Sequence, residues 1–150
     1  MQIDFKKIDL PFKPDPNTAM PVIEVLNSNL LLSFESHELN DYDFKNFKIA
    51  KIEFVDCLIY RIGSPNDEGF YLFGADPKIN NDSIYSKKAF PDLDFDAFYK
   101  VTGVDWKNNL LGNGTKVLNG QYKEKENFNH FVFFMKDGTF ECIAKEFNIK

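Results

Sequence analysis

The alternation of apolar and polar positions is clearest in the C-terminal part of the chain. Residues 131–135 and 139–147 are two apolar-rich runs, and Asp137-Gly138 lies between them. Because Asp-Gly favours a tight two-residue turn between antiparallel strands, this pattern predicts a β-hairpin. A two-residue loop would pair Lys136 with Thr139, Met135 with Phe140, Phe133 with Cys142 and Phe131 with Ala144.

The two faces of this predicted hairpin differ in polarity, since successive strand residues point to opposite sides. One face is continuously apolar and consists of Phe131, Phe133, Met135, Phe140, Cys142 and Ala144. The other face is mixed and consists of His130, Val132, Phe134, Lys136, Thr139, Glu141, Ile143 and Lys145. The apolar residues at the centre of the mixed face predict that another part of the chain covers it.

Two more hairpins are indicated upstream. Residues 22–26 and 30–35 are apolar runs separated by a turn at residues 27–29. Residues 47–63 are predicted to form one long central strand, and residues 70–73 are predicted to return beside it.

A compact run of turn formers joins the two strands of the second hairpin. Pro65 presets one turn dihedral, and Asn66 and Asp67 have side chains that bond to the local backbone. Residues 64–67 are therefore predicted to form a type I turn. We assign this turn a structural role.

The same hairpin predicts a partner for Arg61, the only arginine of the chain. A two-residue loop would place Gly63 opposite Glu68 and Arg61 opposite Phe70. Arg61 would then lie diagonally across from Glu68 on one sheet face, a separation that long side chains can bridge.

The remaining segments carry weaker signals. Residues 98–106 are predicted to form a strand, residues 95–99 weakly suggest a short helix, and residues 107–127 are predicted to form a long exposed loop. Every strong signal is a strand joined to the next by a tight turn. We therefore expect residues 1–150 to form one mainly β domain, an antiparallel β-sandwich or partly closed barrel built from hairpins with little helix.

Composition and charge narrow the classes of function. The chain has 17 Phe, 2 Cys and a net charge of −5 with a pI near 5.0. Scattered lysines on an acidic protein argue against nucleic-acid binding, which needs clustered positive charge. No apolar run is long enough to span a membrane as a helix. Two cysteines inside predicted strands form no disulfide framework, so we expect a cytoplasmic protein.

The residues that could support catalysis or metal binding are arranged unfavourably. His37 and His130 lie far apart in sequence and form no metal-ligand spacing, and His130 is expected at a strand edge, facing solvent or a partner. Cys142 falls on the apolar hairpin face, where burial would make a thiol inert. Asp67 and Glu68, as neighbours on a strand, point to opposite faces. We therefore expect no enzyme activity, no cofactor and no metal.

An alternating acidic segment offers a candidate contact surface. Asp92, Asp94 and Asp96 superficially resemble a calcium loop, but Ala97 and Gly103 stand where the EF-hand needs its glycine and glutamate. The segment is either a solvated loop or a contact patch for a cationic protein partner. Trp106 is a further candidate contact residue, and with nearby tyrosines it could instead line a groove for a small molecule or a carbohydrate.

Two blocks of the chain are distinctive, namely Tyr60-Arg61-Ile62-Gly63 with Pro65-Asn66-Asp67-Glu68, and Thr139-Phe140-Glu141-Cys142-Ile143-Ala144. They resemble a family of small bacterial immunity-like proteins associated with polymorphic toxin systems. Weaker likeness covers Met20-Pro21-Val22-Ile23-Glu24, Asp56-Cys57-Leu58, Phe98-Tyr99-Lys100-Val101 with Trp106, and His130-Phe131 to Asp137. Where the family pattern has a Gly-His-Pro-Leu-Tyr segment, this chain has Asn81-Asp82-Ser83-Ile84-Tyr85, so no role of that His is carried over.

The resemblance implies a non-enzymatic binding protein that occludes a cognate protein toxin, and the acidic net charge suits a basic toxin domain as the partner. The alternative, from another class, is a small-molecule or carbohydrate-binding β domain that uses an aromatic groove. The sequence leaves the oligomeric state open.

Overall fold

Two antiparallel sheets make up the described part of the protein. The computed structural model describes residues 2–17, 19–63, 85, 89–104, 115–118, 128–136 and 138–150, and these contain eleven strands and no helix. The strands are β1 Asp4–Ile8, β2 Phe12–Pro14, β3 Val22–Leu26, β4 Asn29–Glu38, β5 Lys48–Val55, β6 Ile59–Gly63, β7 Phe98–Thr102, β8 Thr115–Val117, β9 Asn129–Met135, β10 Gly138–Ala144 and β11 Glu146–Ile149. The predicted mainly β, antiparallel class is confirmed.

The strand order divides the chain between the sheets. Sheet A has six strands in the order β1-β7-β9-β10-β6-β8. Sheet B has five strands: β11-β5-β4-β2 follow in order, and β3 also pairs with β4. No helix among the described residues is long and apolar enough to cross a membrane.

Phenylalanines from both sheets form the main core. Phe54 of sheet B lies with its ring centre 5.6 Å from that of Phe131 and 5.2 Å from that of Phe140, both in sheet A. Phe34 of sheet B meets Phe133 of sheet A edge to face at 5.2 Å. Because each such ring buries a large apolar area, the unusual Phe content supplies the volume between the two sheets.

The first predicted hairpin is confirmed. β3 and β4 pair antiparallel from Val22 opposite Ser33 to Leu26 opposite Asn29. The two residues between Leu26 and Asn29 form the turn, and Asn27 takes a φ of 57°, a left-handed conformation that Asn tolerates better than most residues.

The C-terminal hairpin is confirmed, but its predicted register is wrong by two residues. Met135 pairs with Gly138, and Phe133 pairs with Phe140. A side-chain carbon on Gly138 would lie 3.0 Å from the carbonyl oxygen of Gly63, so this glycine permits close approach to β6 instead of forming the turn. Asp137 lies outside the described residues.

The predicted faces survive this shift, because a slip of two residues keeps every side chain on its side. The apolar face lies in the core between the sheets. The mixed face is also covered, as predicted: Val132 and Phe134 are fully buried there in a cluster with Tyr85, Leu93 and the neighbouring strand residue Tyr99.

The predicted long strand 47–63 is wrong. It consists of β5 in sheet B and β6 in sheet A, separated at Asp56, whose φ is 49°. The backbone N–H of Asp56 donates to the Asn29 side chain at 3.0 Å, and the N–H of Cys57 donates to the Ser28 carbonyl at 2.8 Å. These bonds hold the crossing from one sheet to the other.

The predicted pairing of Arg61 with Phe70 is also wrong. Arg61 lies opposite Glu141 on one side and opposite Thr115 on the other, so both neighbouring positions are filled. Thr115 belongs to β8, which lies within residues 107–127, so the prediction that this whole range is an exposed loop is wrong. The rest of the motif (Pro65, Asn66, Asp67 and Glu68) lies outside the described residues.

The region near residue 98 also differs from expectation. The predicted helix at 95–99 is absent, because Phe98 and Tyr99 begin strand β7. This strand ends at Thr102, before Gly103 with its φ of 88°, and so is shorter than predicted. Trp106 lies outside the described residues.

Candidate functional site

Four polar side chains meet beneath the cover on the outer face of sheet A. Arg61 of β6 lies directly opposite Glu141 of β10, and His130 of β9 lies diagonally from Glu141 on the same face. Tyr85 completes the group. Each of these residues has an exposed fraction of 6% or less, so the prediction that His130 meets solvent or a partner is wrong.

Glu141 is the centre of this buried cluster. Its Oε2 accepts from the Tyr85 hydroxyl at 2.9 Å and lies 3.0 Å from His130 Nε2, while Arg61 Nη1 lies 3.6 Å from its Oε1. Burial, reinforced by the charge of Glu141, raises the pKa of the Tyr85 hydroxyl well above its usual range. Tyr85 is therefore a proton donor to Glu141 at any physiological pH.

His130 uses one ring nitrogen in the cluster. With Nε2 donating to Glu141, Nδ1 is buried and has no hydrogen-bond partner in the described part of the chain. Three charged or polar groups converging on one carboxylate fix the spacing of β6, β9 and β10. The sequence analysis placed His130 and Glu141 on the same mixed face of the predicted hairpin. No sequence pattern indicated that Tyr85 would join them.

The two thiols lie on the other side of sheet A. Cys142 is fully buried in the main core, and burial, together with its contact to Cys57, raises the pKa of its thiol well above the ordinary value. The Cys57 thiol donates to the Ile59 carbonyl at 3.3 Å. Cys142 and His130 point to opposite faces of the hairpin, so the structure does not bring them together as a nucleophile and base.

The acidic segment does not converge on one point. Asp92 is exposed, while Asp94 forms an ion pair with Lys7 at 3.0 Å, and its backbone N–H donates to the Tyr99 hydroxyl at 2.7 Å. Asp96 is half-buried with a φ of 62°. Within the described ranges, no group of three potential ligands is placed to hold a metal ion.

A second buried histidine joins three segments at the end of sheet B. His37 Nε2 lies 2.6 Å from the Asp15 carboxylate, and its Nδ1 lies 3.1 Å from both the Asp41 carboxylate and the Asn46 carbonyl oxygen. Both ring nitrogens therefore face acceptors, an arrangement that only the doubly protonated ring satisfies. We call this group the His37 clasp.

Hydrogen bonding sets the charge state of the clasp. The bond to Asp15 raises the pKa of His37, and it outweighs the desolvation that would lower it. Burial alone would raise the pKa of Asp41, but the Asn46 N–H and His37 outweigh that effect and lower it. Both shifts favour the imidazolium form of His37 between two carboxylates.

The clasp holds residues 39–47, which we call the aromatic segment. Phe44 packs edge to face on the His37 ring at 5.2 Å, and Lys13 Nζ lies 4.6 Å from the Phe44 ring centre and 5.3 Å from that of Tyr42. Tyr42 nevertheless remains 81% exposed and Phe47 58% exposed. The segment therefore presents aromatic rings to solvent from a fixed base.

The outer face of sheet B beside this segment carries two well-exposed apolar side chains. Val22 of β3 and Ile49 of β5 are 61% and 54% exposed, and both point outward, since Val22 pairs with Ser33 and Ile49 pairs with Glu35 on the side opposite the core. We call this surface the open face. Its outward side chains are Val22, Glu24, Leu31, Ser33, Glu35, Ile49, Lys51 and Glu53.

Comparisons with known proteins give no relative for this chain. No protein family, no curated protein and no solved structure matches it. The resemblance to immunity-like proteins therefore stays a prediction.

Proposed function

We propose that this protein binds a cognate protein toxin and blocks it by occlusion, and that the contact surface is the open face together with the aromatic segment. The observation that carries the proposal is the exposure of Val22 and Ile49 on the outer face of sheet B, together with that of Tyr42 and Phe47 in the aromatic segment, which joins β4 to β5. Exposed apolar groups that adjoin one another on a folded protein are typical of interaction sites.

The chemistry of this surface suits a protein partner. Aromatic side chains such as Tyr42 commonly carry much of the affinity of protein interfaces. The His37 clasp already orders the segment that bears them, so less conformational entropy is lost on binding. The blocks that resemble immunity-like proteins support the same class of function.

The charge of the open face favours a basic partner. Glu24, Glu35 and Glu53 point outward here against one lysine, Lys51. Glu53 also pairs with Lys150 at 3.2 Å, which leaves Glu24 and Glu35 available to a cationic surface. Complementary charge of this kind speeds encounter and selects the partner.

The deciding experiment co-expresses the protein with the toxin encoded beside its gene and measures cell survival. We expect protection by the natural protein and its loss in Tyr42→Ala, with a fall in affinity of about thirtyfold, as for a central aromatic contact. Circular dichroism would show that the variant remains folded, since Tyr42 lies on the surface.

A matched pair of variants tests the location of the surface. Val22→Ala removes an exposed side chain from the open face, and Val117→Ala makes the same change at an exposed position on β8 of sheet A. Weaker toxin binding is expected only for Val22→Ala. Equal effects of the two would contradict the assignment of the surface, and failure of the natural protein to protect would contradict the function itself.

A further inference from the structure

A cavity of about 380 Å³ opens at the side of the molecule where the edge strand β1 of sheet A approaches the edge strand β11 of sheet B. Its apolar lining includes Ile8, Phe131 and Phe147. The volume falls within the range of small-ligand sites. The cavity lies away from the open face and is independent of the proposed toxin contact.

Two lysines line this cavity in a like-charged pair. Lys6 of β1 lies directly opposite Lys100 of β7, and Lys100 lies opposite Phe131, so all three point to the core side of sheet A. Like charges opposite each other across two strands repel. Among the described residues, neither ammonium group has a carboxylate within 4.0 Å.

The other charged groups at the cavity do not relieve this repulsion. Lys7 also lines the cavity but is already paired with Asp94. Glu146 is the one acid of the lining and is exposed, without a partner within ion-pairing distance in the described ranges. Lys6 and Lys100 against Glu146 leave the opening positive beside an apolar wall.

We propose that this cavity binds a small amphipathic carboxylate. The carboxylate group lies between the ammonium groups of Lys6 and Lys100, and the hydrocarbon part contacts Phe131 and Phe147. The bound anion offsets the repulsion between the ammonium groups of Lys6 and Lys100. Glu146 repels a second negative charge, so the site favours a monoanion.

The test compares octanoate with 1-octanol, which has the same chain length without the charge. Isothermal titration calorimetry on the natural protein is expected to show octanoate binding at least tenfold more tightly than 1-octanol. In Lys6→Gln/Lys100→Gln we expect this preference to disappear. Nuclear magnetic resonance should show the ring signals of Phe131 and Phe147 shifting on titration, which locates the ligand.

A control variant separates local from overall charge. Lys48→Gln/Lys51→Gln removes the same two charges from sheet B, away from the cavity, and octanoate affinity is expected to stay the same. The proposal is overturned by equal binding of octanoate and octanol, by equal loss in both double variants, or by no octanoate binding at about 10 mM. None of these outcomes bears on the toxin contact, which is tested by Tyr42→Ala.

Discussion

Replacement of His37 by glutamine tests how far the clasp stabilises the fold. Glutamine is uncharged and cannot donate to Asp15 and Asp41 at once in the geometry of the ring. The change would leave two carboxylates beside each other without the cation that both contact at 2.6 and 3.1 Å. Breaking a buried pair costs about 3–5 kcal/mol, and a value near 3 is expected because both carboxylates remain partly open to water. In a domain of this size that lowers the Tm by roughly 6–12 °C.

The same clasp gives a pH dependence whose sign can be worked out. The folded-state pKa of His37 is raised above its ordinary value, so its contribution is fully present below the unfolded pKa of about 6.5. The contribution is lost as the pH rises through the folded pKa. The lowered pKa of Asp41 acts in the opposite direction: its contribution is present above an unfolded pKa of about 3.9 and is lost as the pH falls through the folded value. The clasp therefore stabilises most between about pH 4 and pH 6.5.

Urea denaturation at several pH values measures both effects. The natural protein should lose stability as the pH rises above about 6.5 and through the folded pKa of His37, and His37→Gln should lack most of that slope. Lys48→Gln is the control, because it removes only the exposed ion pair with Glu38 at 3.2 Å and should cost no more than about 1 kcal/mol. Parallel pH profiles for His37→Gln and the natural protein would refute the charged clasp.

Three other predictions concern the framework. Gly103→Ala should destabilise by about 3 kcal/mol, measured by urea denaturation, because φ is 88° there and the new carbon would clash with the Gln2 carbonyl oxygen. Glu141→Gln should cost about 3 kcal/mol and lower the Tm in a thermal scan, since it removes the charge on which the buried cluster converges; an unchanged Tm would contradict the central role of this carboxylate. Cys142 should react with a thiol reagent only as fast as the protein unfolds, because its thiol is fully buried, and rapid labelling of native protein would contradict the packing described.

The parts of the fold that the sequence predicted are those with local signals. The β3–β4 and β9–β10 hairpins were found because a short turn directly joins two apolar runs. The faces of β9 and β10 followed from the period of two, which a slip of two residues leaves intact. Even there, the turn signal placed Gly138 in the turn. In the structure Gly138 lies in β10, where the absence of a side chain leaves room for the backbone of Gly63.

The parts that were missed depend on residues distant in sequence. The apolar run 47–63 continues through Asp56 without a break in hydrophobicity, and only the pairing with the Asn29 side chain shows why the chain changes sheet there. Likewise, the His37 clasp joins residues 22 positions apart, and Tyr85 reaches Glu141 across 56 positions. No local pattern reports such contacts, so the sequence analysis missed the His37 clasp and, of the Glu141 cluster, placed only His130 and Glu141 on one face.

The outer faces of the two sheets differ in the side chains that they expose, and this difference is a physical reason to look for recognition on sheet B. Sheet A buries its outer-face polar groups, which converge on Glu141, so the side chains of this cluster are not exposed to a partner. Sheet B leaves Val22 and Ile49 in water, where their burial by another protein would contribute roughly 25 cal/mol for each Å² covered. The clasp orders the aromatic segment beside them in the unbound protein, so less conformational entropy is lost when a partner binds. If the partner uses this segment, its affinity should weaken as the pH rises through the folded pKa of His37, in parallel with the stability of the clasp.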